Sequence, residues 1–230
     1  MAFPWLNPAM VFREVWTHQT LFLDATKCVA YNATLYVAWG HSMANELQAL
    51  EEPYPEEIAE ALSHYPKIDG QLIALFRTFA NSRRFLEKAV PNLLDQASPL
   101  ALKEREIVIL RITANNKCEY EWGVHVAVFG SLAGFTENQI LDTCCSSADP
   151  ALWSDKEHLL LCVIDQFCST GNVTESNLAA FQHYWTVEQQ LEIIALCGTY
   201  KTVSLVANLA RLPCELFAAR FPGTEVTIRQ

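Results

Sequence analysis

Apolar residues recur at three- and four-residue spacing in nearly every segment of the chain, whereas alternation with a period of two, bounded by turn residues, is hard to find. That is the pattern of helices that each bury one face, so the chain reads as all-α. The helix starts are legible. Ser98-Pro99 precedes LALKEREIVILRI, and Thr136 is followed three residues later by Gln139, Ser154 by Glu157 and Thr186 by Gln189. A hydroxyl that accepts from the third backbone N–H, with an acid or amide reaching back, satisfies two otherwise orphaned donors and opens a helix. The stops agree with the starts: Gly134 follows GSLA, Gly171 follows DQFCST, and Pro213 closes LEIIALCGTYKTVSLVANLARL, as residues that tolerate left-handed backbone or cannot continue a helix do. Helices of about three to six turns result.

A break of another kind lies at EEPYPEEIAE, where prolines and acids interrupt the periodicity. It divides an N-terminal helical extension, residues 1–50, from a main domain, residues 51–230. The extension is aromatic and nearly uncharged, so it must pack against the main domain or another subunit. It holds no catalytic motif, and its His18 and His41 approach a site only if that layer folds over one.

Composition narrows the functions. Of the 230 residues 51% are apolar and 18% charged, which suits a globule with a sizeable core and surface to hide in an oligomer. A net charge of −10 without a Lys/Arg cluster repels a phosphate backbone, so nucleic acid is not an expected partner. No basic leader precedes an apolar run, and no stretch is long and apolar enough to span a bilayer. The expectation is a cytoplasmic protein without membrane association. The eight cysteines then read as reduced thiols. None stands in a C-x-x-C pair or at zinc-site spacing, so no metal is expected.

The chemistry concentrates in LKEREIVILRITANNKCEYEWGVHVAVFGSLAGF. Read as two helices broken at Asn115-Asn116, the segment has Asn116 as cap of the second helix and Glu119 as its capping-box partner. Cys118 then sits in the first turn, where the positive end of the helix dipole favours a thiolate. Glu119 and Glu121 oppose that, since like charges raise a thiol pKa. Cys118, Glu121, Trp122 and His125 follow i, i+3, i+4, i+7 spacing and share a stripe. If the helices pack antiparallel, Glu106 reaches His125. An imidazole can pass protons and a carboxylate can orient it and raise its basicity. Singly these residues are ordinary core or surface positions; together they nominate Cys118, His125 and Glu106 as catalytic. Glu121, Tyr120 and Trp122 line the same neighbourhood, with Tyr120 able to offer a phenol to a bound acid or peroxide.

On these residues the chain resembles the carboxymuconolactone decarboxylase and alkylhydroperoxidase D family. LKEREIVILR, CEYEWGVH and AGFTENQI are similar to its signature, and the likeness extends over roughly residues 55–220. It implies an alkylhydroperoxidase D-like helical bundle, a small-molecule substrate, no cofactor, and assembly as a homo-oligomer, a trimer or hexamer. In the peroxidase branch a Glu is followed by Cys at +12, Cys at +15 and His at +19; here those places hold Glu106, Cys118, Glu121 and His125. The missing second thiol removes the dithiol–disulfide cycle. The leading expectation is an alkylhydroperoxidase-like, thiol-dependent oxidoreductase with peroxiredoxin-type activity, working through a Cys118 sulfenate; a cofactor-free lyase acting on a lactone or carboxylate through His125 and a non-enzymatic helical scaffold are the alternatives. Cys144-Cys145, His158 and His183 receive no role.

Overall fold

The computed structural model describes residues 46–223. The extension at 1–50 therefore lies almost wholly outside the described residues, His18 and His41 included. Within 46–223 nine α-helices and one short 3-10 turn form the molecule, and no strand occurs among the described residues beyond a single bridge between Ile68 and Gln71. In chain order they are α1 Glu56–Leu62, α2 Ala74–Phe79, α3 Arg83–Lys88, α4 Leu102–Asn115, α5 Glu119–Phe129, α6 Glu137–Asp142, α7 Asp155–Thr170, α8 Glu175–Tyr184 and α9 Val187–Leu209. The all-α expectation holds.

Three of the sequence-read caps form as reciprocal boxes. The hydroxyls of Thr136, Ser154 and Thr186 each accept from the backbone N–H three residues on, and their own N–H groups donate in return to the side-chain oxygens of Gln139, Glu157 and Gln189. Gly171 ends α7 in left-handed conformation at φ 70. The Ser98-Pro99 start is corrected: α4 begins three residues later, with Ala101 as N-cap and its N–H taken by Glu104. Alanine offers no oxygen to the opposite bond, so this end has only half a box.

Helix α4 is the axis of the fold. Ile107, Val108, Ile109 and Leu110 are fully buried, because α5, α7 and α9 all pack on it. A helix covered on every side must also bury its charges, and Arg111 shows how this one is satisfied. Its guanidinium grips Asp165 of α7 with two bonds of 2.6 Å and donates to the carbonyls of Thr143 (3.0 Å) and Cys145 (2.7 Å). A bidentate pair with its remaining donors filled is the arrangement in which a buried charge is tolerated.

Two larger apolar cores flank this axis, with a small third cluster of Leu110, Ala114 and Trp122. One gathers Ile107, Ile109, Leu160, Leu161, Trp185, Ile193 and Leu196; the other gathers Leu62, Leu75, Phe79, Val124, Val203 and Ala207. Helix α9 runs through both, contributing Ile193 and Leu196 to the first and Val203 and Ala207 to the second. A C-terminal strap then returns along α5. Glu215 accepts from the Tyr120 hydroxyl (2.6 Å) and the Ala74 N–H (2.8 Å), Ala219 N–H donates to the Gly123 carbonyl (3.0 Å), and Phe221 packs on Trp122.

Candidate active site

Helices α4 and α5 fold back on one another through a tight break at Asn116–Cys118. Asn116 does not cap the second helix. It closes the first, its amide donating to the Ile112 carbonyl at 2.7 Å. Lys117 takes the left-handed conformation at φ 55, which turns the chain within one residue, and Cys118 becomes the N-cap of α5. Glu119 does not complete a capping box; its carboxylate accepts from the Phe221 N–H of the strap at 2.8 Å.

This shift separates the residues of the expected stripe. Cys118 is not in helical conformation, at φ −95 and ψ 80, so of the chemical groups in the stripe only Glu121 and His125, four residues apart on α5, stay together. The Cys118 side chain is fully buried within the second core, beside Tyr120, Val124 and Val203. Burial pushes its thiol up to about 11, although the backbone N–H of Glu121 and the Ser204 hydroxyl favour the ionised form. No hydrogen bond joins Cys118 to His125 among the described residues. Tyr120 is turned to Leu75 and Glu215, which hold its phenol, and burial raises that group's pKa. Trp122 is turned to Thr143 and Phe221.

Glu106, Glu121 and His125 do meet. His125 is 3% exposed and Glu106 1%. Nδ1 of the imidazole lies 2.8 Å from Glu106 Oε2, and Nε2 lies 3.4 Å from Glu121 Oε1. A neutral ring has one nitrogen that accepts, and that nitrogen would face a carboxylate, so only the imidazolium satisfies both neighbours. Burial disfavours the charge, but the two carboxylates outweigh it and lift His125 from 6.5 to about 9.

Two further side chains close the group, and no local spacing marks either of them. Tyr200 of α9 stands edge-on to the His125 ring with centroids 5.1 Å apart. Arg105 is buried beside Glu106, its Nε 3.7 Å from Glu106 Oε1. Arg105 looked like one more charge in KERE, and Tyr200 like one more core position in a helix of apolar period. Only the packing of α9 on α4 brings them in. Two surface clefts, one between α1 and α3 and one between α4, α7 and α9, are lined by other residues than Glu106, Glu121 and His125. No cluster of metal-ligating side chains occurs among the described residues, and none of their helices is long and apolar enough to cross a membrane.

Known proteins place this geometry. Residues 84–164, which contain all four positions of the constellation, match the model of the Carboxymuconolactone decarboxylase family. The fold is that of a crystal structure of an uncharacterized peroxidase-related protein from Silicibacter sp. TM1040, with a TM-score of 0.58 and 17% identity over 77% of this chain and 96% of that one. No curated protein matches the sequence. The segment from α3 into α7 is thus similar to the carboxymuconolactone decarboxylase family.

Proposed function

We propose that this chain, with its carboxymuconolactone decarboxylase family segment at 84–164, is an enzyme that moves a proton at His125 Nε2 to or from a small oxygenated substrate, as a lyase or isomerase does. The observation that carries the reading is the pair of carboxylates on one imidazole. Glu106, at 2.8 Å, fixes Nδ1 and the ring orientation, while the contact of Nε2 with Glu121 is looser at 3.4 Å. Nε2 is therefore the nitrogen whose proton can be given to a developing enolate and recovered afterwards. An acid held charged at neutral pH and enclosed in a low-dielectric seam is suited to donation.

A second reading keeps the thiol. Cys118 caps α5 with the Glu121 N–H favouring its ionised form, so a one-thiol, alkylhydroperoxidase-type reaction with peroxiredoxin activity is available. The thiolate attacks a hydroperoxide, the sulfur becomes a sulfenate, and the departing alkoxide takes its proton from His125. One external thiol then condenses with the sulfenic acid to a mixed disulfide with loss of water, and a second displaces Cys118 as the thiol, the two external thiols leaving as their disulfide. What weighs against it is position. Glu121 fills the place next to the histidine, and Cys118 is buried among apolar side chains.

Two assays separate the readings: solvent deuterium exchange into a panel of small lactones and hydroxyketones, and hydroperoxide consumption with dithiothreitol. The first reading expects exchange that survives Cys118→Ser and disappears in His125→Ala. Peroxide turnover lost in both variants, with no exchange in the wild type, would overturn it in favour of the second. For assembly we propose a homo-oligomer, a trimer or hexamer, because Val187, Leu191, Ile194, Leu205 and Leu209 leave apolar surface exposed along α9. Light scattering that returns a stable monomer removes this proposal.

A further inference from the structure

Three polar atoms around His125 are buried without a hydrogen-bond partner among the described residues: Arg105 Nε, Glu106 Oε1 and Glu121 Oε2. Leaving such groups unpaired costs about 1–3 kcal/mol each, more when they are charged. Their donors and acceptors are unequal in number, two carboxylate oxygens against one N–H. Arg105 Nε and Glu106 Oε1 stand 3.7 Å apart, too far for a direct bond yet close enough for one hydroxyl to accept from the first and donate to the second. Glu121 Oε2 asks for another donor on the Nε2 side of the ring. Tyr200 stands edge-on to the His125 ring beside these atoms, with centroids 5.1 Å apart.

The charges around this spot are already balanced. Arg105 and the imidazolium carry two positive charges, Glu106 and Glu121 two negative ones. An anionic ligand would set its charge against two carboxylates in a low-dielectric seam. A cation would leave the arginine N–H unpaired.

Resting on the proton-transfer reading above, we propose that the site takes a small uncharged hydroxy-carbonyl or related oxygen compound. Its hydroxyl bridges Arg105 Nε and Glu106 Oε1, and a second donor, a further hydroxyl or a water bound along with the ligand, meets Glu121 Oε2. Free carboxylates are excluded, and with them simple decarboxylation of a carboxylate substrate. Arg105 is thereby a binding residue, and Tyr200 forms the wall that holds the ligand against the imidazole.

The test uses the full chain with 15N-labelled histidine, observing the His125 ring while hydroxyacetone or glycolate is added, with the exposed His183 as internal control. Hydroxyacetone is expected to shift His125 saturably and leave His183 unmoved, and glycolate to bind at least tenfold more weakly. Arg105→Lys keeps the charge but loses the Nε–H, and Glu121→Gln replaces an acceptor; each is expected to weaken hydroxyacetone binding about tenfold. Glycolate binding as tightly as hydroxyacetone in the wild type overturns the proposal whether or not the variants fold. So does a His125 that does not shift at about 100 mM, where even a millimolar complex is saturated. The same spectra report the charge of His125. A ring that is neutral at pH 7 while hydroxyacetone binds sinks the proton-transfer reading alone, and a charged ring that binds nothing sinks this inference alone.

Discussion

Two positions on one short helix, Cys118 at the N-cap of α5 and His125 two turns later, show how differently a reactive side chain can be housed. At the start, a sulfur is enclosed by apolar neighbours of the second core, and burial holds it as a thiol with a pKa near 11. Two turns on, an imidazole equally shut off from solvent is held charged, because Glu106 and Glu121 stand on its two nitrogens. Burial acts on both in the same sense, against the charged form. What differs is whether an opposite charge has been buried alongside. The family pattern places a Glu, a Cys and a His in line, but in this chain the electrostatics support only the Glu and the His, and Glu121 occupies the position from which a thiol would meet the ring.

The sharpest way to break this contrast is Glu106→Gln. It takes away the nearer carboxylate while leaving a group of the same size, so the imidazolium loses its main support. Activity is expected to fall by about 10²–10⁴, the usual contribution of a positioned acid. Breaking a buried pair costs stability as well, about 3–5 kcal/mol, which urea unfolding would read. The sign of the pH dependence is fixed. His125 is raised from 6.5 unfolded to about 9 folded, so its stabilisation is complete below about pH 6.5 and is lost as pH rises through 9. Wild-type stability is expected to drop across that window by roughly 3 kcal/mol, at about 1.36 kcal/mol per pH unit, and Glu106→Gln to flatten the slope. A wild-type curve that is flat from pH 6.5 to 9 would show that the ring is not held charged.

How much of this was legible in the sequence follows the range of the interactions. The all-helical architecture, the Thr136, Ser154 and Thr186 boxes and the left-handed Gly171 rest on contacts a few residues long, and local pattern carries them. The meeting of Glu106 and His125, nineteen residues apart, was accessible because a hairpin of two helices fixes which turns face each other. The cap of α5 was not. In NNK an asparagine is the ordinary candidate, yet Asn116 bonds back to Ile112, Lys117 takes the left-handed conformation, and Glu119 is claimed by Phe221, 102 residues further on. That slip of two residues removed Cys118 from the helical stripe. Arg105 and Tyr200 were hidden for a related reason: their importance lies in α9 packing on α4, which no local spacing encodes.

A smaller effect is expected where α5 is held from behind. Gly123 lies between Glu121 and His125, and its carbonyl accepts from Ala219 of the strap. A Cβ added there would overlap the Ala219 carbonyl oxygen and crowd Ala218. Gly123→Ala therefore forces the strap away from the helix, at a cost of about 1–3 kcal/mol from overpacking. That exceeds the gain in helix propensity, about 1 kcal/mol. Phe221 would leave Trp122, and the indole fluorescence should shift towards that of a wetter ring. Because the strap contacts the side of α5 away from His125, the pKa of His125 should move little. A large change in that pKa would mean that the strap, and not the carboxylates alone, sets the charge at the site.

The smallest expected effect is at the other end of the contrast. Cys118→Ala removes a sulfur that is buried, neutral and without a bond to His125, and leaves a cavity of roughly one atom. The stability cost should be about 1 kcal/mol, within the common range for a single substitution. The 15N titration of His125 should stay near 9, since no interaction of Cys118 contributes to that shift. Proton exchange into substrate should remain within about threefold of wild type, a difference below about 0.7 kcal/mol in the barrier. Loss of all exchange in this variant, with the fold and the His125 titration intact, would tie the thiol to the reaction despite its burial. The helix start and the histidine two turns later would then have to work as one site, through a movement of α5 that uncovers Cys118.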